Sequence, residues 1–330
     1  MQAGFSFIDW TIFIGYLVVL LGLAIYLSNK NVNSAREFFT AKNSMMALPV
    51  ALSLLATAQS AATFLGAPEF SYRFDLTLIG YSITSLLAIY VVVKVLIPKL
   101  YEMKAMSVYE LLQERYGGNA RRDVGIMFLI GRLFASGARL YMAALALSMI
   151  LFYDITLAHV SICVVLLVIG ALIFTYFGGI KSVIISDILQ IIVYLGAGIA
   201  VVVYLYLSLS MDFSTLYQSL NEAEKLKYID FELSFTNEGK FNIFALLTGY
   251  MLLNIAAFGL DQDLAQRVLA CKNKKEASWS LYGATLLSIP VSMLFLSIGL
   301  LLFLYYQEHT ISQEFAGEGI TIFMYYILNE

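Results

Sequence analysis

Long apolar runs alternate with short polar segments along the whole chain. Leu, Ile, Val, Phe and Tyr dominate near residues 8–27, 46–70, 76–97, 124–151, 156–175, 183–209, 241–260 and 279–306. Each run approaches the ~20 residues a helix needs to cross the hydrocarbon core of a bilayer. The apolar residues are continuous within each run instead of alternating, which argues against the strands of a membrane β-barrel. The pattern predicts an all-α, polytopic membrane protein with about eight transmembrane helices.

Composition points the same way. Hydrophobic residues make up 60% of the chain and charged residues 13%, whereas a soluble domain carries roughly 25% charged residues. The first run has no basic residue ahead of it and no small-x-small cleavage site behind it, so it reads as a retained helix and not a signal peptide. The net charge of −3 says little, but the placement of the charges gives direction. One set of connecting segments holds Lys30, Arg36, Lys42, Lys99, Lys104, Arg115, Arg121, Arg122, Lys181, Arg267, Lys272, Lys274 and Lys275; the other holds only Arg73, Lys225, Lys227 and Lys240. Basic residues favour the cytoplasmic side. The two sets alternate without conflict when the N-terminus and loop 210–240 face outward and loop 97–123 faces the cytoplasm. A short amphipathic helix is expected around Phe213 to Leu226, in a loop that reads either as a cover over an outward vestibule or as a plain connector.

Signs of soluble chemistry are missing. His159 and His309 are isolated, and no phosphate-binding glycine loop or nucleophile elbow is present. Cys163 falls in a span and Cys271 in a basic loop, so no disulfide is expected between them. The basic segments are accounted for by topology, and no nucleic-acid partner is implied.

Polar residues within spans are few enough to weigh singly, because each needs a partner or a cavity in lipid. The stretch SLLATAQSAATFLGAP carries Thr57, Gln59, Ser60 and Thr63, followed by Gly66 and Pro68. Close packing through small residues is one reading. A helix broken between Gln59 and Gly66, which frees backbone carbonyls for an ion and leaves room for a solute, is the other. Gln59 favours the break, since its amide needs partners at both ends. Asp187 lies about five residues into its span, as an ion-path carboxylate or as an anchor near the headgroups. Arg132 and Arg139 are seven apart and share a helix face, available to that carboxylate or to an anionic solute. Asn254 either ties two helices or borders a cavity beside the small residues that follow it. Ser82, Ser85, Gln190, Ser288 and Pro290 complete the set.

Three segments together carry a family resemblance. ATAQSAATFLGAPEFSYRF, FTYFGGIKSVIISDILQ and GLDQDLAQRVLACKNKKEA occur here in order and at matching spacing. In these the chain resembles the sodium:solute symporter family. The resemblance implies an extra N-terminal helix over 1–45, a first inverted repeat of five helices over 46–209, the loop 210–240, and the start of a second repeat over 241–330. Spans 46–70 and 241–260 would then be the two broken helices. It further implies Na⁺ as the coupled ion, held by the backbone carbonyls of Ala56 and Gln59 and by hydroxyls of an eighth core helix. Asp187 matches the aspartate on the sodium exit path. Asn254 matches a sugar-binding asparagine, while Ser60 and Thr63 are expected to line the solute cavity. The positions of the sugar transporters' glutamine, gate aromatic, glutamate and lysine hold Thr63, Ala257, Ser82 and Ser288. The sugar pattern is mostly lost, and GAPEFSYRF is more similar to the branch handling iodide, vitamins and small carboxylates. The expected solute is a small anion, carboxylate or sugar, taken up across the plasma membrane. The eighth helix would begin after Ile320, so the sequence is expected to be the N-terminal portion of a symporter. A non-transporting sensor, or one part of a split assembly, is the alternative.

Overall fold

In the computed structural model, residues 7–28, 35–176, 179–232, 241–309 and 321–329 are described. Residues 177–178 of the FGG segment, 233–240 of the loop 210–240 and 310–320 lie outside them, while the stretch after Ile320, where a helix is expected, is described and helical over Ile322–Asn329. Among the described residues every regular element is helical, and pairing of extended backbone is limited to isolated bridges such as Met45 with Cys271.

Each apolar run forms a helix. The first is α1, Phe7–Ser28, followed by the short α2, Ala35–Thr40. The second run divides into α3, Ala47–Ala58, and α4, Ala61–Arg73. Next come α5, Ile79–Glu102, the short α6, Glu110–Tyr116, and α7, Gly118–Phe152. They are followed by α8, Leu157–Tyr176, and α9, Gly179–Ser208. The loop after α9 contains α10, Phe213–Glu222, capped by the Asp212 carboxylate on the Ser214 N–H. The seventh run starts as α11, Ile243–Ala245, passes through a π-helical turn at Leu246–Tyr250 and continues as α12, Met251–Leu260. Then follow α13, Gln262–Leu269, α14, Lys274–Glu308, and α15, Ile322–Asn329. Among the described residues, five helical spans are long and apolar enough to cross a membrane, counting α11–α12 as one, and six with the bent pair α3–α4, while α1 and α8 supply shorter apolar helices.

Two details differ from expectation. The seventh run is distorted by a π-helical turn instead of being broken, and the chain leaves helical geometry only at Asp261 (ψ 118°). In the second run Gly66 and Pro68 lie inside α4, beyond the break.

The long α14 is the central post, packed against α3, α4, α5 and α9. Apolar side chains gather around it in two clusters. One contains Leu65, Leu205, Phe295, Leu296 and Leu302; the other contains Val50, Leu54, Ile89, Val92, Ile184 and Leu281. Lipid is as apolar as leucine, so helices there are joined by close fit and hydrogen bonds more than by the hydrophobic effect. The α4–α14 contact shows both. Gly299 faces the Pro68 carbonyl so closely that no Cβ fits, and the Ser71 hydroxyl donates to the Leu296 carbonyl at 2.7 Å. Large apolar side chains on the other faces point outward, among them Met127, Leu129, Leu133 and Phe134 of α7 and Leu157 and Leu172 of α8. That inversion of the soluble pattern is what a lipid solvent requires.

The segment that follows α10 is seated, not loose. Lys225 is buried, donates to the Tyr72 carbonyl at 2.7 Å and lies 4.4 Å over the Phe303 ring. The Leu76 N–H donates to the Lys227 carbonyl at 3.1 Å. The segment thereby straps the end of α4 to α14.

Candidate functional site

The break between α3 and α4 bends the pair by 64° and is made by two residues. Gln59 still donates its N–H to the Leu55 carbonyl at 3.1 Å, then turns extended with ψ 147°. Ser60 is extended as well (φ −153°, ψ 173°) and caps α4. Thr63 completes a capping box: its hydroxyl oxygen accepts the Ser60 N–H at 2.7 Å and its hydrogen goes to the Ser60 carbonyl at 2.8 Å.

This capping decides which carbonyls come free. In an unbroken helix the Ala56 carbonyl would accept from the N–H of Ser60, and the Gln59 carbonyl from that of Thr63. The first N–H is instead committed to the Thr63 hydroxyl and the second to the Ser60 carbonyl at 3.0 Å. Ala56 and Gln59 therefore lose their helical donors at the point where the backbone turns.

Cavities lie on both sides of the break, and Gln59 and Ser60 line both. The larger, about 530 Å³, is walled by Thr57 and Thr63, by Tyr81, Ser82 and Ser85 of α5, by Arg132 and Arg139 of α7, and by Tyr250, Ala257, Asp261 and Ser288. Its hydroxyls are mostly held by protein: Ser82 meets Ser292 at 2.9 Å, Ser85 donates to the Ser82 carbonyl at 2.6 Å, and Ser288 donates to the Thr285 carbonyl at 2.8 Å. Arg132 is tied down too, with Nη1 3.1 Å from Asp261 and Nη2 on Asp263. Arg139 has no carboxylate partner among the described residues and is exposed at the cavity wall. The smaller cavity, about 480 Å³, is lined by Ala56, Phe64, Gln190 and Tyr194, by Tyr16 of α1, and by Met324 and Ile327 of α15.

Asp187 stands apart from both cavities. The carboxylate accepts from Ser53 at 2.5 Å and pairs with Arg267, whose Nη2 is 3.1 Å away and Nε 3.2 Å away. The expected pairing of Asp187 with Arg132 or Arg139 is therefore corrected: its cation comes from α13, because Arg132 is drawn to the two carboxylates at the α12–α13 turn. Asp187 is also no anchor among headgroups, since the residue is buried. Asn254 is fully buried, off the cavity walls, with its amide nitrogen 3.5 Å from the Tyr81 carbonyl. Its oxygen finds no partner among the described residues.

Sequence reasoning missed the aromatic wall. Tyr194 reaches the break and packs on Phe64 and Phe295, with ring centres 5.4 and 4.6 Å apart. Tyrosines in apolar runs were counted as apolar, yet Tyr194 follows Asp187 by seven residues and so shares its face of α9.

The sequence model of the sodium:solute symporter family matches residues 38–316. The chain belongs to the sodium:solute symporter family. Within this family it is 27% identical to the human sodium-coupled monocarboxylate transporter 1 over 276 residues, covering 83% of this chain and 44% of that one. Identity to the sodium/sialic acid symporter SiaT of Proteus mirabilis (strain HI4320) is 26%, covering 92% of this chain and 60% of that one. The sodium-dependent multivitamin transporter of Oryctolagus cuniculus is 29% identical, covering 98% and 50%. Among solved structures, the substrate-bound outward-open state of a Na⁺-coupled sialic acid symporter superposes with a TM-score of 0.86 at 26% identity, over 99% of this chain and 66% of that one. The chain spans about half the length of the curated symporters it matches. The symporter resemblance read from the three sequence segments is borne out, and so is the all-helical membrane fold.

Proposed function

We propose that this chain forms the ion-releasing and solute-holding part of a sodium-coupled symporter that brings a small polar or anionic solute into the cell. The observation that carries this is the break at Gln59–Ser60, which strips the Ala56 and Gln59 carbonyls of helical donors beside a cavity lined by small hydroxyls and Arg139. Na⁺ is a hard cation suited to oxygen ligands, and those two carbonyls have lost their helical donors. On the solute side Arg139 is a cation with no carboxylate partner among the described residues, and Ser60, Thr63, Ser82 and Ser288 present small polar walls. A carboxylate fits that wall best, in keeping with relatives named for monocarboxylates and sialic acid. Asn254 serves the site from behind, through Tyr81. One positive charge entering through about 100 mV gains roughly 2.3 kcal/mol, which drives accumulation without covalent chemistry. In this reading α1 is the extra helix, residues 46–209 are the first repeat, and 241–330 begin the second.

The function is tested by reconstituting the chain in liposomes and measuring uptake of radiolabelled pyruvate and sialic acid under inward Na⁺ or K⁺ gradients. Accumulation driven by Na⁺ alone is expected; equal uptake in K⁺ would overturn the coupling.

Asp187 is the proposed ion-path carboxylate, held by Arg267 and Ser53 in this state. Asp187→Asn keeps the shape and removes the charge. Apparent Na⁺ affinity should fall about tenfold or more, with a smaller loss of protein in the membrane. Unchanged Na⁺ dependence of uptake would leave Asp187 a structural partner of Arg267.

The chain is placed in the plasma membrane with its N-terminus and α10 outside. Cys163 and Cys271 are both buried, and burial pushes the Cys271 thiol up to about 12, so background labelling is low. With both replaced by serine, a cysteine at Tyr217 in α10 should react with an impermeant maleimide in intact cells. A cysteine at Tyr116 in α6 should react only after permeabilisation. The reverse result would invert the topology.

A further inference from the structure

We infer that Tyr194 is the positioning residue that couples the two halves of the site, through the single hydrogen of its phenol. The inference rests on the sodium-coupled reading above and adds to it a residue from outside the broken helix. Tyr194 lines the smaller cavity, whereas Thr63 lines the larger one. The phenol spans the break between them. It donates to the Gln59 side-chain oxygen at 3.2 Å and lies 3.5 Å from the Thr63 hydroxyl.

Counting hydrogens gives the contact a direction. The Thr63 hydroxyl has one hydrogen, given to the Ser60 carbonyl, and its oxygen already accepts the Ser60 N–H. Toward Tyr194 it has only a lone pair to offer, so the phenol must be the donor. The phenol also has one hydrogen, and the nearer claim on it is Gln59. One hydrogen thus faces an acceptor on the ion side and an acceptor on the solute side. An ion that orders the Gln59 backbone sets the phenol, and the phenol sets the Thr63 rotamer presented to solute. A solute that captures the Thr63 hydroxyl acts back along the same path. Such a shared element gives a coupling free energy that is equal in both directions.

The ring is fixed separately from the hydroxyl. Phe64 of α4 and Phe295 of α14 hold it at ring-centre distances of 5.4 and 4.6 Å. Tyr194→Phe therefore removes the hydrogen and keeps the wall.

The test measures pyruvate binding to the purified full chain in lipid nanodiscs, at low and high Na⁺, with K⁺ holding ionic strength constant. In wild type, Na⁺ should tighten pyruvate binding by about tenfold or more. In Tyr194→Phe that factor should fall to about twofold or less, with low-Na⁺ pyruvate affinity and solute-free affinity for radioactive Na⁺ each within about threefold of wild type. Gln59→Met removes the acceptor at nearly constant shape, and adding it to Tyr194→Phe should lower the factor no further. An unchanged factor in Tyr194→Phe would overturn the inference. So would a uniform loss of both affinities at constant factor, which is the signature of a merely structural tyrosine. Absence of any Na⁺ effect in wild type would instead remove the sodium-coupled reading itself, and is seen without any variant.

Discussion

Thr63→Trp is expected to abolish solute uptake while leaving the chain folded in the membrane. Thr63 sits on the wall of the larger cavity, on the first turn of α4, facing Ser82, Ser288 and Arg139 across about 530 Å³. An indole placed there occupies the space a small carboxylate would need. Uptake should fall at least about a hundredfold, which corresponds to about 2.7 kcal/mol at 1.36 kcal/mol per tenfold. The fold bears less: losing the capping hydroxyl costs about 1 kcal/mol, and an open cavity accepts bulk with little of the 1–3 kcal/mol strain seen in filled cores. Thr63→Ser keeps the capping box and should retain transport. Full uptake by the tryptophan variant, in membranes where wild type is active, would remove this cavity as the solute site.

The second large effect lies at the α4–α14 joint. A Cβ at Gly299 would fall well inside contact distance of the Pro68 carbonyl oxygen and the Ser71 hydroxyl, and the first of these is backbone that cannot swing aside. Gly299→Ala should force α4 away from α14 and break the Ser71 bond to the Leu296 carbonyl. Overpacking of this kind costs about 1–3 kcal/mol, and an interhelical hydrogen bond adds roughly 0.6 kcal/mol. Thermal unfolding in detergent should shift down by several degrees. Gly66→Ala, on α4 with open space around it, should leave the midpoint unchanged or slightly raised. Equal stability of the Gly299 variant and wild type would show that the two helices are not closely joined there.

The helices were legible because lipid demands continuous apolarity, a signal that survives without any tertiary information. The broken helix was legible for a related reason: Gln59 and the hydroxyls of Ser60 and Thr63 are costly in lipid unless the backbone or a cavity uses them. The position of the break was harder to read. Gly66 and Pro68 drew attention as helix breakers, but α4 absorbs both, and the break is set by Ser60 and Thr63 acting as an ordinary helix start. Charge pairing was not legible at all. Arg267 and Asp187 are 80 positions apart, and Arg132 and Asp261 are 129 apart. Nothing in spacing along the chain selects Arg267 over Arg139 as the partner of Asp187. The carboxylates Asp261 and Asp263, which take Arg132, sat in a segment read for its basic residues and its family pattern and not for its acids.

Gln59 and Ser60 form a wall two residues thick, with one cavity on each side. That thinness separates what can drift from what cannot. Residues such as Ser82, Ser288 and Arg139 line only the larger cavity, so on the proposed function a lineage could exchange them one at a time and change its solute without touching the smaller cavity, which Ala56 lines. A change at Gln59 or Ser60 alters both chambers in a single step. On the proposed function, a scaffold arranged this way would diversify readily in its solute and slowly in its ion, which suits a family whose relatives are named for monocarboxylates, sialic acid and vitamins yet all for sodium.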